Sequence, residues 1–166
     1  DAERDGDKIY GVIKSVAGSS DGKGLGMTAP KSAGQVRAIN RAYKKAGFSP
    51  ATLGMYEAHG TGTAVGDRTE IQTLSSVMRD ANAQPKTCSV GSAKTFVGHT
   101  KASAGVVGIV KALQSIYYKT IPPHINVEEP IDEIAHANSP IYINKNIKPW
   151  FKTSEMPRRA GISAFG

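Results

Sequence analysis

Residues 53–67 read Leu-Gly-Met-Tyr-Glu-Ala-His-Gly-Thr-Gly-Thr-Ala-Val-Gly-Asp. A short apolar run, a loop of glycine and threonine, and an acidic residue opening an apolar-periodic stretch follow one another. The pattern predicts a buried strand over Leu53–Ala58, a loop over His59–Gly66 and a helix over Asp67–Arg79. Ile71, Leu74 and Met78 share one helical face. Asp67 and Glu70 have the D-x-x-E spacing of a capping box and read as helix caps first, site residues second.

Elements of both kinds continue on either side. Lys8–Ser19 is rich in β-branched residues and predicts a strand, and Asp21–Pro30, with its glycines, predicts a loop. Ser32 and Gln35 have the S-x-x-Q capping spacing, Val36, Ile39 and Tyr43 form an apolar face, and Gly47 ends that helix. Thr87–Val90 predicts a further strand and Thr100–Tyr118 a further helix. Ala102–Val110 carries no charge, so it is expected to be the most buried helical segment, with Gly105 and Gly108 packed closely on a neighbour. Ile121–Pro130 reads as extended, and Ile141–Ile143 and Arg159–Ser163 as the last strands. Strands alternating with helices give an α/β class.

The chain has 166 residues, one domain's worth, with 39% apolar and 21% charged residues. No apolar run approaches the roughly 18 residues of a membrane helix. The first residues are charged and lack an initiator Met, which suggests a chain cut from something longer and no secretory signal. A cytoplasmic location is expected. One cysteine rules out a disulfide framework and a Cys-rich zinc site. Cys88 sits in an apolar strand and reads as a small buried hydrophobe rather than a nucleophile. The net charge of +7 is spread along the chain, with no basic block and only 7% aromatics. It fits a solvated or protein-facing surface better than a nucleic-acid or membrane one.

Two histidines lie in glycine- and threonine-rich loops after strands: His59 in 57–63, and His99 in 91–99, with Lys94 five residues before it. Loops at strand ends carry the sites of α/β folds. Neutral imidazoles can donate N–H to a developing oxyanion. A phosphate loop would need the Walker pattern, and a metal site would need nearby ligands; neither is present in these loops. The two rings and Lys94 are expected in one pocket. His124 and His136 have no local company and receive no role.

Four stretches occur in order: EAHGTGT (57–63), GSAKTFVGHTKASAGVVG (91–108), IPPHIN (121–126) and PRRAGISAFG (157–166). Together they resemble the C-terminal half of a β-ketoacyl synthase, the condensing enzyme of fatty-acid and polyketide synthases. The resemblance covers essentially all of residues 1–166. The loop at 22–30 and the helix after His99 are most similar to domains of large polyketide and polyunsaturated-fatty-acid synthases. Gly108 stands where discrete bacterial synthases commonly have glutamate, and Ser103 where alanine is more usual.

The resemblance implies the C-terminal half of a thiolase-like fold, a mixed sheet with helices on its faces. It implies an acyltransferase that performs a decarboxylative Claisen condensation. His59 and His99 would be the histidine pair acting on a malonyl thioester, and Lys94 the supporting lysine. Thr61 and Thr63 would bind the phosphopantetheine arm, and Phe165 would also bind substrate. No cofactor would be bound directly; phosphopantetheine would arrive on an acyl carrier protein. The partners implied are the N-terminal half of the same synthase, which supplies the nucleophilic cysteine, the carrier protein, and a second copy when full length. The family's oxyanion hole is completed by the residue after Gly166, so this segment alone is expected to be inactive. A carrier-protein docking module without catalysis, and a thiolase-type acyltransferase, are the other readings.

Overall fold

The computed structural model describes residues 1–20, 22, 31–153 and 156–165; the loop expected over 21–30 lies almost wholly outside them. The elements are α1 (Ala2–Asp5), α2 (Ser32–Ala46), β1 (Met55–Glu57), α3 (Ala64–Asp80), β2 (Cys88–Gly91), α4 (Lys94–Val97), α5 (Ala104–Tyr117), β3 (Thr120–Ile121), α6 (Asp132–Ala135), β4 (Ile141–Ile143), β5 (Lys148–Pro149) and β6 (Ala160–Ile162).

Four strands form a parallel sheet in the order β4-β2-β1-β6. Tyr56 is level with Val90 on one side and Gly161 on the other. The two-residue strands β3 and β5 pair antiparallel, so both kinds of pairing occur and the α/β class holds. Parallel strands need helical crossovers, and the helices cover both faces. On one face, Leu53, Tyr56, Ala58 and Val90 pack with Ile71, Leu74 and Met78 of α3 and Ile134 of α6. On the other, Met55, Ile121 and Trp150 form a smaller cluster reached by Ile116 of α5. The period of two along β1 divides its residues between these layers. Cys88 is fully buried in the larger core, and burial pushes its thiol pKa up.

Several expectations need correction. Lys8–Ser19 joins no sheet. Its β-branched residues favour extended backbone, but it lies on helices that offer no ladder of free N–H and C=O groups. Tyr10 packs on Tyr117 of α5, while Ser15 donates to the Ala42 carbonyl and Arg41 to the Gly18 carbonyl on the α2 side. The α2 cap position is Lys31 rather than Ser32, without a side-chain cap. Ser32 instead accepts from the Thr73 hydroxyl, tying α2 to α3. The helix does end at Gly47, in the left-handed region. Helix α3 begins at Ala64, three residues before the expected start, so Asp67 and Glu70 lie inside it and the N-cap position is Thr63.

Ala102–Val110 is not the most buried segment. Residues 101–103 form a 3-10 turn and α5 begins at Ala104. Only Gly108 in this stretch is buried, while Val106 and Val110 are 61% and 51% exposed. The sheet covers one side of the helix and Tyr10 packs on its C-terminal end at Tyr117, while Val106 and Val110 stay open. The Gly108 close approach is real: a Cβ there would lie 3.0 Å from Glu57 Cγ.

Candidate functional site

The C-terminal end of the parallel sheet carries the two histidine loops. His59 follows β1 after Ala58, and its loop turns through Gly60 and Gly62, both at positive φ. Glycine reaches that conformation without strain. The loop is then held from α3: Glu70 accepts N–H groups from His59 (2.8 Å) and Gly60 (3.0 Å), and Asp67 accepts the Gly62 N–H (3.2 Å). These acids are loop anchors. The D-x-x-E spacing that suggests a cap puts both carboxylates on the helical face turned to the preceding loop. Burial raises the pKa of Glu70, and the two N–H donors oppose that rise.

Lys94, at the start of α4 after β2, sends its ammonium to the His59 carbonyl oxygen. The Ser92 hydroxyl reaches the same oxygen at 3.4 Å. His99 lies beyond Gly98, which ends α4 with φ 73°. The His59 and His99 rings meet edge to face with centroids 5.7 Å apart. The Phe165 ring lies 4.8 Å from His59 on another side. The structure therefore brings together His59, His99, Lys94 and Phe165. Thr61 and Thr63 are exposed at the rim, their hydroxyls hydrogen-bonded to each other at 3.2 Å.

Both imidazoles have the same tautomer imposed on them. The Phe165 N–H donates to His59 Nδ1 at 3.2 Å, and the Lys101 N–H donates to His99 Nδ1 at 3.0 Å. An Nδ1 that accepts carries no proton, so each neutral ring holds its proton on Nε2. His59 is 9% exposed, and its pKa is lowered to about 4 by burial first and then by the positive charge of Lys94. It is neutral at pH 7.

Two polar residues escaped the sequence reading. Glu57 is buried within β1, and Lys111 reaches it from α5 at 2.7 Å. Glu57 also accepts the Ala93 N–H. Burial raises its pKa, against the opposing pull of Lys111. A charged residue inside an otherwise apolar strand was the available signal. His124 also gains a place: the Ser92 N–H approaches its Nδ1 at 3.4 Å, beside the end of β2. Among the described residues no group of three His, Cys, Asp or Glu is placed to hold a metal. No helix among them is long and apolar enough to cross a membrane.

Residues 10–128 match the family described as Beta-ketoacyl synthase, C-terminal domain. A polyunsaturated fatty acid synthase protein of Thraustochytrium is 44% identical over 171 residues, covering all of this chain and 6% of that protein. Polyketide synthase PksL of Bacillus subtilis is 39% identical, over all of this chain and 4% of its own length. The ketosynthase from module 6 of the B. subtilis bacillaene synthase superposes with a TM-score of 0.94 at 39% identity, over 99% of this chain and 30% of that one. An oxazolomycin ketosynthase domain of Streptomyces albus gives 0.89 at 33% identity, over 99% and 29%. The chain thus spans a small part of the relatives it matches, and its fold is the thiolase-like fold of ketosynthases. On the matched family, the motif order and the superposition together, the chain belongs to the β-ketoacyl synthases, as a C-terminal domain.

Proposed function

We propose that this chain supplies the decarboxylation part of a condensing site, as a segment of a polyketide or polyunsaturated-fatty-acid synthase. The observation that carries the reading is the histidine pair, two rings 5.7 Å apart whose Nδ1 atoms both accept backbone N–H. Each ring is left with an Nε2–H donor. When a malonyl thioester loses carbon dioxide, the carboxylate C–C bond breaks and its electron pair becomes the enolate. Negative charge then grows on the thioester oxygen. Two neutral donors fixed beforehand stabilise that charge more than they stabilise the uncharged carbonyl, which lowers the barrier. A neutral His59 suits this role because it donates a hydrogen bond without handing a proton to the enolate, as an imidazolium would. Lys94 fixes the His59 backbone and adds positive charge beside the ring.

The enolate would then attack an acyl group held as a thioester on a cysteine from the N-terminal half of the synthase. Cys88, buried and with a raised pKa, does not suit that role. Thr61 and Thr63 at the rim would meet the phosphopantetheine arm of an acyl carrier protein, and Phe165 the substrate. The net charge of +7 suits an acidic carrier by electrostatic steering. On that charge alone a docking module without catalysis would serve equally, but docking does not require two tautomer-locked imidazoles.

The test is made in the intact synthase that carries this chain. His59→Ala and His99→Ala are each expected to slow carbon dioxide release from malonyl-carrier by about 10²–10³. Acyl loading, followed by trapping labelled acyl-enzyme, should be spared much more. Loss of loading with carbon dioxide release unchanged would reverse the assignment, and unchanged rates for both would favour the docking module.

A further inference from the structure

Glu57 and Lys111 form a buried ion pair to which the mechanism above gives no part. Their side chains are 3% and 14% exposed, and the N···O distance is 2.7 Å. Glu57 lies two residues before His59, and alternation along β1 turns it away from the α3 core, toward α5. Its other carboxylate oxygen accepts the N–H of Ala93, the residue before Lys94. Gly108, one turn before Lys111 on α5, leaves the room in which the carboxylate sits.

One buried carboxylate therefore stands near two ammonium groups. Lys94 is close enough to act on the Glu57 charge, and both residues line one small cavity with Gly98, Thr100 and Ser163. Attraction between opposite charges is strong in such poorly solvated surroundings, and a buried carboxylate left unpaired is costly. Yet the Lys94 ammonium is bound to the neutral carbonyl of His59. Lys111, at 2.7 Å, already gives Glu57 a positive partner.

We propose that Lys111 is a positioning residue: by pairing with Glu57 it keeps Lys94 on the His59 carbonyl and so in the histidine site. Without Lys111, Glu57 would draw the Lys94 ammonium across, and the His59 backbone would lose its charged donor. The catalytic consequence, though not the positioning itself, rests on the function proposed above.

The experiment compares Lys111→Met, Lys111→Arg and the double variant Glu57→Gln/Lys111→Met in the intact synthase, by crystal structure and by carbon dioxide release from malonyl-carrier. In Lys111→Met the Lys94 ammonium is expected on Glu57 and off the His59 carbonyl. The kcat of decarboxylation should fall by up to about 10²-fold, the cost of a displacement near 1 Å, with KM little changed. Lys111→Arg should keep both the geometry and the rate. The double variant removes the competing charge, so Lys94 should return to His59 and the rate should recover to within a few-fold. Should Lys111→Met fail to fold, Lys111→Gln, polar but uncharged, still leaves the Glu57 charge without a positive partner and carries the same readouts. Lys94 still on the His59 carbonyl in Lys111→Met or Lys111→Gln overturns the proposal whatever the rates. Lys94 shifted to Glu57 with an unchanged rate upholds the positioning and counts against the proposed function.

Discussion

The two histidine loops end up side by side but are built in opposite ways. The His59 loop is anchored on every side: Glu70 and Asp67 take its N–H groups, Lys94 and Ser92 donate to its carbonyl, and Phe165 fixes the ring. The His99 loop is exposed. It is held through Gly98 behind it and one N–H from Lys101 in front, and Lys101 itself sits at φ 54°. Yet both loops impose the same tautomer. The common requirement is a backbone N–H aimed at Nδ1, and burial is a separate property that only His59 acquires.

The largest expected effect comes from cutting the anchored loop. Glu70→Ala leaves two N–H groups at a buried position without their acceptor, which should cost about 2–4 kcal/mol in urea unfolding. A loss below about 0.5 kcal/mol would show that the anchoring is incidental. The second effect is in pH. The folded pKa of His59 lies below its ordinary value of 6.5, at about 4. The unfolded chain therefore takes up a proton before the folded one does. The His59 contribution leaves stability intact above pH 6.5 and erodes it as pH falls from there toward 4. An NMR titration of the His59 ring should have its midpoint near 4, and a midpoint at 6.5 would show an open, solvated ring. The smallest effect is in the exposed loop. Lys101→Gly relieves a positive φ while keeping the N–H that holds His99, so stability should change by no more than about 1 kcal/mol, in the stabilising direction. A clear loss would mean that the Lys101 side chain carries part of the loop.

The same contrast marks how far the amino-acid sequence could be read. The four parallel strands and the end of α2 at Gly47 were legible because apolar runs and glycine stops act locally. The two histidine loops were legible from their glycines. Glu70 was misread, because a carboxylate that caps its own helix and one that anchors the preceding loop have the same spacing; the true start of α3 at Ala64 decides between them. Glu57 stands out as a charge in an apolar strand, but its pairing is not legible because its partner, Lys111, is 54 residues away on another element. Residues 8–19 were misread as a strand, since β-branched content favours extended backbone but does not provide a ladder partner. The uncharged stretch of α5 was misread for a similar reason: apolarity says that a helix face seeks cover, not what covers it. Val106 and Val110 stay exposed while Gly108 is buried on Glu57.

The central claim is that two differently built loops deliver the same chemical object, a neutral imidazole that donates from Nε2. Long-range 1H–15N spectra of the histidine-labelled protein at about pH 7.5, well above the ordinary histidine pKa, read the tautomers directly. The account predicts that His59 and His99 both show a protonated Nε2 and an unprotonated, hydrogen-bond-accepting Nδ1. A protonated Nδ1 on either neutral ring would remove one of the two donors and contradict the account.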